Sequence, residues 1–100
     1  MIIRFFIDPE TDVPHIYNHN VAVEEVEELF RNYHITEGDR GSVSPGQSSR
    51  IALGRTNTGR FLKVVYSSDK DGGGIFVITA YDLTGKALLA FRRRLRRRQR

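Results

Sequence analysis

The sequence predicts a small α+β fold, in which helices pack on a twisted antiparallel sheet. The chain has 100 residues, 39% of them hydrophobic, which suits one compact domain with a modest core and is too little for two. Three short apolar runs in the second half are separated by glycine-rich connectors, a pattern typical of an antiparallel meander. Two further stretches carry apolar residues at helical spacing. The predicted order is β, short α, α, β, β, β, α, in a single domain over residues 1–100.

The N-terminal segment predicts a strand and then a short helix. Residues 2–7 are apolar apart from Arg4 and rich in β-branched side chains, and Pro9 follows them, which is typical of a strand. Pro14 suits the first turn of a helix, because its missing N–H would be unpaired there in any case. Apolar residues around it have helical spacing, so we expect one or two turns that end near Asn20.

Residues 21–33 predict an amphipathic helix. Its apolar residues lie three or four positions apart: Val23, Val26, Phe30 and Tyr33. Its acidic residues occupy the opposite face: Glu24, Glu25, Glu27 and Glu28. We interpret the acidic face as solvated. The alternative is that it lies opposite the final helix and offsets the charge of that helix.

A loop and three strands are predicted next. Residues 37–47, EGDRGSVSPGQ, show no periodicity and are predicted to form the loop. The strands cover residues 49–55, 61–67 and 75–82, with the connectors TNTG and SDKDGGG between them. Both faces of the central strands are largely apolar, which indicates a sheet that is covered on two sides.

The third of these strands is expected to alternate strictly between the two faces of the sheet. Under that alternation Ala80 shares a face with Phe76 and Ile78. Tyr81 lies on the other face, with Val77.

The end of the chain predicts a basic amphipathic helix. Thr84 suits the N-cap position. The apolar stripe at helical spacing consists of Ala87, Leu88, Phe91 and Leu95. We expect residues 84–95 to be helical and residues 96–100 to form a frayed basic tail, because neighbouring arginines repel one another.

The positive charge belongs to one end of the chain. Seven arginines fall within residues 92–100, so residues 1–91 carry a net charge of −3 although the whole chain carries +4. Concentrated cations bind phosphates by releasing counterions. A polyanion is therefore the expected partner, with nucleic acid as the first candidate and an anionic lipid surface as the second.

The composition excludes several classes of site. The chain has no cysteine, so neither disulfides nor thiolate metal sites are available. No apolar run approaches the ~18 residues of a membrane span, and acidic residues follow the first apolar run where a signal peptide would continue. We therefore expect a cytoplasmic protein that has no membrane partner.

Two of the three histidines have a spacing that metal sites use. His15 and His19 lie four residues apart and would share a helix face. No carboxylate or cysteine accompanies them in a recognisable motif, so we expect no metal and no other cofactor. We interpret both, together with His34, as hydrogen-bonded structural residues.

Three stretches, HNVAVEEVEELF, SSRIALGRTNTGRFLKVVYSS and IFVITAYDLTGKALLAFRRR, together resemble the BrnT group of toxins. The resemblance rests on the order and spacing of HNVAVEE, LGRT, KVVY and VITAYDLT, and covers most of the chain. BrnT toxins have a RelE-like ribonuclease fold and belong to bacterial type II toxin-antitoxin systems. The resemblance implies a toxin that acts as a metal-independent RNA endonuclease. Its implied partners are RNA or the ribosome and a cognate antitoxin protein, with no small-molecule cofactor.

Ribonucleases of this kind use the ribose 2′-OH as the nucleophile, and the protein supplies a base, an acid and cations for the developing charge. The catalytic candidates are Arg50, Arg55 and Tyr81. The candidates for nucleic-acid binding are Arg60, Lys63, Arg92, Arg93, Arg96 and Arg97. His19 matches a family position and is a further candidate for RNA handling or antitoxin contact.

The chain departs from the family's pattern at three positions expected to touch RNA. Tyr81 stands where the family has an arginine, Ala87 where a glutamate is common, and Phe91 where a tyrosine is common. Three roles stay open for Tyr81: an acid or base beside cations, a stacking platform for an unpaired base, and a half-buried structural residue. The alternative function is therefore a non-catalytic nucleic-acid-binding module on the same fold.

Overall fold

The computed structural model describes residues 1–38, 49–69 and 72–98 of the chain. Its elements are β1 (Ile2–Phe5), a 3₁₀ helix (His15–His19), α1 (Val23–Arg31), β2 (His34–Gly38), β3 (Ser49–Arg55), β4 (Phe61–Ser68), β5 (Gly74–Asp82) and α2 (Gly85–Arg98). They form a small α+β domain, as the sequence predicts. Of the loop predicted over residues 37–47, residues 39–47 lie outside the described part. No helix in the described ranges is long and apolar enough to cross a membrane.

The five strands form one mixed sheet in the order β1, β5, β4, β3, β2. Strands β3, β4 and β5 pair antiparallel, which confirms the predicted meander, and β2 adds a further antiparallel strand beside β3. β1 instead pairs in parallel with β5, from Ile2 opposite Gly74 to Phe5 opposite Val77, so the sheet is not purely antiparallel as expected. The sequence does not predict β2, because its stretch HITEG has no apolar alternation. Glu37 and Gly38, which are predicted to begin the loop, instead end this strand.

Helix α1 and the 3₁₀ helix cover one face of the sheet. Ile16, Val26 and Leu29 are each no more than 1% exposed and belong to the core on this face. Helix α1 ends at Arg31, earlier than predicted, because Asn32 takes an extended conformation. Tyr33 therefore lies beyond the helix, and it packs in the core on the opposite face of the sheet.

Helix α2 covers that opposite face. Phe91 and Leu95 are buried there, as predicted, and Leu88 is partly buried. Ala87 is exposed and does not belong to the apolar stripe. It directly precedes Leu88, and consecutive residues of a helix are turned by about 100° from one another around the helix axis. The ring of Phe91 stacks on the ring of Tyr33 with 6.2 Å between their centres, which ties the helix to the end of the α1–β2 connection.

The basic end of α2 is helical through Arg98. The prediction that residues 96–98 are frayed is therefore wrong. Residues 99–100 lie outside the described part. Two interactions favour the last turn. Cations are stabilised near the C-terminus of a helix, where the helix dipole is negative. The Arg98 guanidinium also lies 4.0 Å from the centre of the Tyr33 ring, in a cation–π contact.

A bulge in β5 changes which of its residues share a face. Val65 of β4 pairs with Thr79, but the next residue, Tyr66, pairs with Val77, so Ile78 is skipped. The bulge puts Ala80 in the core beneath α1 together with Val77, although strict alternation predicts them on opposite faces. Beyond the bulge, Thr79 and Tyr81 lie on the face that α2 packs against.

The acidic face of α1 does not offset the charge of α2, because the two helices lie on opposite faces of the sheet. That alternative is wrong. Glu25 instead accepts the backbone N–H of Ala22 at 2.9 Å and so caps the first turn of α1. Glu28 accepts the backbone N–H of Asn57 at 3.0 Å, in the turn between β3 and β4. Glu24 is exposed, as a solvated face predicts.

Candidate functional site

The part of the sheet beside α2 carries a paired tyrosine and lysine. Tyr81 of β5 and Lys63 of β4 lie directly opposite each other in the register, and both are partly exposed. Lys63 Nζ lies 5.7 Å from the centre of the Tyr81 ring, within the range of a cation–π interaction. The pair therefore combines a positive charge, a phenol hydroxyl and an aromatic face.

Two histidines of the 3₁₀ helix extend this pair along β5. Buried Ile16 anchors the short helix, and Asn20, with a φ of 60°, ends it directly after His19. The centre of the His19 ring lies 5.7 Å from that of Tyr81. The ring of His15 meets the ring of His19 edge-on, with 5.5 Å between centres. The order of side chains along the surface is therefore Lys63, Tyr81, His19 and His15.

Asp8 contacts His15 at the far end of this row. Its Oδ2 lies 3.2 Å from Nδ1 of His15 and accepts a hydrogen bond from Asn18 Nδ2 at 3.1 Å. Its Oδ1 accepts the backbone N–H of Glu10 at 2.9 Å. The Glu10 hydrogen bond, and after it the one with His15, hold the pKa of Asp8 below its ordinary value of 3.8. We call the set Asp8, His15, His19, Tyr81 and Lys63 the His–Tyr cluster.

The His–Tyr cluster has the components of general acid–base chemistry. Imidazoles exchange protons near neutral pH, and a carboxylate beside one ring nitrogen fixes the orientation of that ring. A lysine beside them stabilises negative charge on a bound phosphate. Among the described residues, no group of three or more His, Cys, Asp or Glu side chains could hold a metal ion.

The three predicted catalytic residues do not form one site. Arg50 lies on the α1 face of β3, where its Nη2 is 3.5 Å from Thr36 Oγ1. Arg55 lies on the α2 face at the other end of the same strand. Tyr81 is two strands away, on β5. Of the three, only Tyr81 belongs to the His–Tyr cluster, and the predicted catalytic roles of Arg50 and Arg55 stay predictions.

Arg60 is engaged within the fold. Its Nε donates to Asp82 Oδ1 at 2.8 Å, and its Nη1 donates to Glu25 Oε1 at 2.9 Å and to the carbonyl of Asn20 at 2.7 Å. The hydrogen bond with Asp82, and then that with Glu25, raise the pKa of the guanidinium, so it stays charged. Its side chain therefore joins the 3₁₀ helix, α1 and β5, and its predicted role in nucleic-acid binding stays a prediction.

The outer surface of α2 is basic throughout its second half. The exposed arginines are Arg92, Arg93, Arg94, Arg96, Arg97 and Arg98. None of them forms an ion pair with a carboxylate of the described residues. The role in nucleic-acid binding that the sequence predicts for four of them, Arg92, Arg93, Arg96 and Arg97, stays a prediction.

The sequence does not identify two members of the cluster, Asp8 and His15, as site residues. Asp8 lies in the loop after β1, and no motif links it to His15. The parallel pairing of β1 with β5 brings this loop beside the 3₁₀ helix, and the backbone N–H of His15 donates to the carbonyl of Phe6 at 2.9 Å. The four-residue spacing of His15 and His19 was the available signal, but it does not show which carboxylate or phenol accompanies them.

Residues 16–82 match the model of a protein family described as Domain of unknown function (DUF4258). The matched region includes His19, Lys63 and Tyr81, and it excludes Asp8, His15 and the basic helix α2. Neither the comparison with curated proteins nor the comparison with solved structures gave a match. The function therefore has to be argued from the side chains of the chain itself.

Proposed function

Since the chain belongs to the family described as Domain of unknown function (DUF4258), which carries no assigned activity, we propose its function from the His–Tyr cluster. The proposed function is metal-independent cleavage of RNA, as the toxin of a type II toxin-antitoxin system. The observation that supports it most is the row of Lys63, Tyr81, His19 and His15, with consecutive contacts of 5.5 to 5.7 Å. The resemblance to BrnT toxins, which have a RelE-like fold, agrees with this activity.

The proposed reaction is an intramolecular attack on the phosphate. His19, the exposed histidine, takes the proton of the 2′-OH, and the 2′ oxygen forms a bond to phosphorus while the bond from phosphorus to the 5′ oxygen breaks. His15, oriented by Asp8, gives a proton to the leaving 5′ oxygen. Lys63 stabilises the charge on the phosphate oxygens. The products are a 2′,3′-cyclic phosphate and a free 5′-hydroxyl.

Binding of the RNA strand is assigned to two features. The arginines on α2 bind successive phosphates without regard to base sequence. Tyr81 offers an aromatic face for an unpaired base, and such stacking is worth about 1–3 kcal/mol per base. A single-stranded substrate satisfies both features, because its bases are free to leave the backbone path and stack.

A cognate antitoxin is the proposed protein partner. The six exposed arginines of α2 lack carboxylate partners in the described part of the chain. An acidic or amphipathic segment of a second protein would pair with them and exclude RNA from the same surface. This partner is part of the toxin proposal, and a neighbouring gene for a small protein with such a segment would support it.

The deciding experiment is cleavage of single-stranded RNA in the presence of a chelator, with and without ribosomes. The wild-type chain is expected to produce fragments that end in cyclic phosphate, and its expression is expected to slow bacterial growth. His19→Ala is expected to reduce the cleavage rate by about 10²-fold or more. Tyr17→Ala is the matched control, because Tyr17 lies exposed on the same 3₁₀ helix but outside the cluster. Absence of cleavage by the wild-type chain under both conditions would contradict the proposal.

The second candidate is a nucleic-acid-binding module without catalysis. It is favoured by the separation of Arg50, Arg55 and Tyr81, which leaves the cluster without an arginine. This function predicts RNA binding that weakens with salt but leaves the RNA intact. Replacing Arg92, Arg93, Arg96 and Arg97 with glutamine would then reduce the slope of log affinity against log salt by about 0.7 for each phosphate that the variant no longer binds.

A further inference from the structure

A polar cleft separate from the His–Tyr cluster opens where α2 meets the turn between β3 and β4. Its volume is about 680 Å³. Asn32 and Tyr33 line one side, Arg55 and the turn of residues 56–59 line another, and Leu95 of α2 completes the wall. Neither the sequence patterns nor the family match assigns a ligand to this cleft.

Arg55 contributes a partly buried cation to this cleft. Its guanidinium forms no ion pair with a carboxylate of the described residues. Arg60, at the other end of the same turn and also partly buried, pairs with both Glu25 and Asp82. Because taking a charge out of water is costly unless it is paired, Arg55 is the better placed of the two to bind an anion from outside the described residues.

Arg98 places a second cation beside Tyr33, one of the residues that line the cleft. Its guanidinium lies 4.0 Å from the centre of the Tyr33 ring. The other contact of that ring is a stack with Phe91, whose plane is inclined by only 14° to it. The buried ring of Phe91 therefore positions the Tyr33 ring, and the Tyr33 ring positions the guanidinium of Arg98. One guanidinium therefore lines the cleft, and a second lies against the ring of a lining residue.

The turn that lines the cleft is fixed by hydrogen bonds. Asn32 Nδ2 donates to the carbonyl of Arg55 at 3.1 Å and to Asn57 Oδ1 at 3.0 Å. Buried Thr56 accepts the backbone N–H of Arg60 at 3.1 Å through its hydroxyl. The carboxylate near the turn, Glu28, already binds the N–H of Asn57. Hydrogen bonds therefore hold the turn, and the carboxylate of Glu28 is engaged in one of them.

We propose that this cleft binds a phosphate group of the RNA strand through Arg55 and Arg98, at a position remote from the bond that is cleaved. The proposal rests on the proposed RNA-directed function and deepens it, because it gives the strand a second fixed point besides the His–Tyr cluster. Arginine suits this role, since its planar guanidinium donates two parallel hydrogen bonds to phosphate oxygens. Arg55 is accordingly a binding residue and takes no part in proton transfer.

The test follows the backbone amide NMR signals of the ¹⁵N-labelled chain in two separate titrations. The first probe is inorganic phosphate. The second is a short single-stranded RNA whose 2′-O-methyl groups prevent cleavage. Saturable shifts of Asn57, Thr58 and Gly59 are expected with both probes. Arg55→Gln and Arg98→Gln are each expected to remove the shifts and to weaken RNA binding roughly tenfold. Arg31→Gln is the matched control, because Arg31 is an exposed arginine on α1, on the other side of the sheet.

Each outcome bears on the proposal. Shifts with RNA that disappear in both cleft variants and persist in Arg31→Gln support it. Shifts with inorganic phosphate alone overturn it, since the cleft is then a site for a free anion. Equal RNA affinity of all three variants also overturns it. Because the RNA probe cannot be cleaved, a failure here is distinct from a failure of catalysis, which the chelator assay measures.

Discussion

Tyr81 and Lys63 face each other across β5 and β4, with Lys63 Nζ 5.7 Å from the centre of the tyrosine ring. The bulge at Ile78 makes this pairing possible, because it moves Tyr81 onto the face of Lys63. The phenol hydroxyl is a group that can transfer a proton, whereas the ring face is a surface on which a base can stack. Two substitutions at Tyr81 therefore distinguish proton transfer from base stacking.

Tyr81→Phe removes the hydroxyl and keeps the ring. If the ring alone acts, by stacking on a base, this variant is expected to bind and cleave RNA as the wild-type chain does. Tyr81→Ala is expected to weaken RNA binding by about 10- to 100-fold, since one stacked base contributes about 1–3 kcal/mol. Fluorescence anisotropy measures binding and a gel assay measures cleavage. A cleavage loss of about 10²-fold in Tyr81→Phe with unchanged binding would instead assign a catalytic role to the hydroxyl.

Phe91 is the main anchor of α2. Phe91→Ala is expected to lower the free energy of unfolding by about 3–5 kcal/mol, because it removes a ring that is 1% exposed and leaves a cavity. Leu89→Ala is the control on the same helix: Leu89 is 52% exposed, and its loss should change the free energy by less than about 0.5 kcal/mol. Urea denaturation followed by circular dichroism measures both. Similar destabilisation by the two variants would contradict the packing described for α2.

The fold could be predicted to the extent that local patterns determine it. The strands β3, β4 and β5 follow from apolar runs between glycine-rich connectors, and Phe91 and Leu95 follow from helical spacing. The position of Ala80 could not be predicted, because the skipped residue at Ile78 has no glycine or proline to mark it. Nor could β1 be assigned its parallel partner, since the sequence pattern of a strand does not state its neighbour.

The candidate site was predictable only in part, because its members meet through tertiary structure. Tyr81, Lys63 and His19 each stand out as residue types that suit RNA chemistry. Asp8 joins them only after β1 pairs with β5 and the following loop reaches His15. The ion pairs of Arg60 could not be predicted either, because a sequence does not reveal that two carboxylates distant along the chain will lie beside a cation.

Arg60 is predicted to be a structural residue. Arg60→Ala is expected to lower the free energy of unfolding by about 2–3 kcal/mol, since it leaves Glu25 and the carbonyl of Asn20 without their charged donor. Arg4→Ala is the matched control, because Arg4 also forms an ion pair, with Asp69. The side chain of Arg4 is 55% exposed, whereas that of Arg60 is 25% exposed. That pair should contribute less than about 1 kcal/mol. Thermal or urea denaturation of the two variants measures the difference, and an equal effect would refute the distinction.

Asp8 predicts a specific dependence of stability on pH. Hydrogen bonds from the Glu10 N–H and then with His15 lower its folded-state pKa below 3.8. A carboxyl whose pKa is lowered by folding adds stability above its unfolded value, and this stability is lost as the pH falls through the lower folded value. Asp8→Asn is therefore expected to be less stable than the wild-type chain at neutral pH, with the difference shrinking below about pH 4. Urea denaturation across this range measures it, with exposed Glu10→Gln as the control. A stability difference that stays constant down to the most acidic pH would show that the ionised carboxylate of Asp8 is not what orients His15.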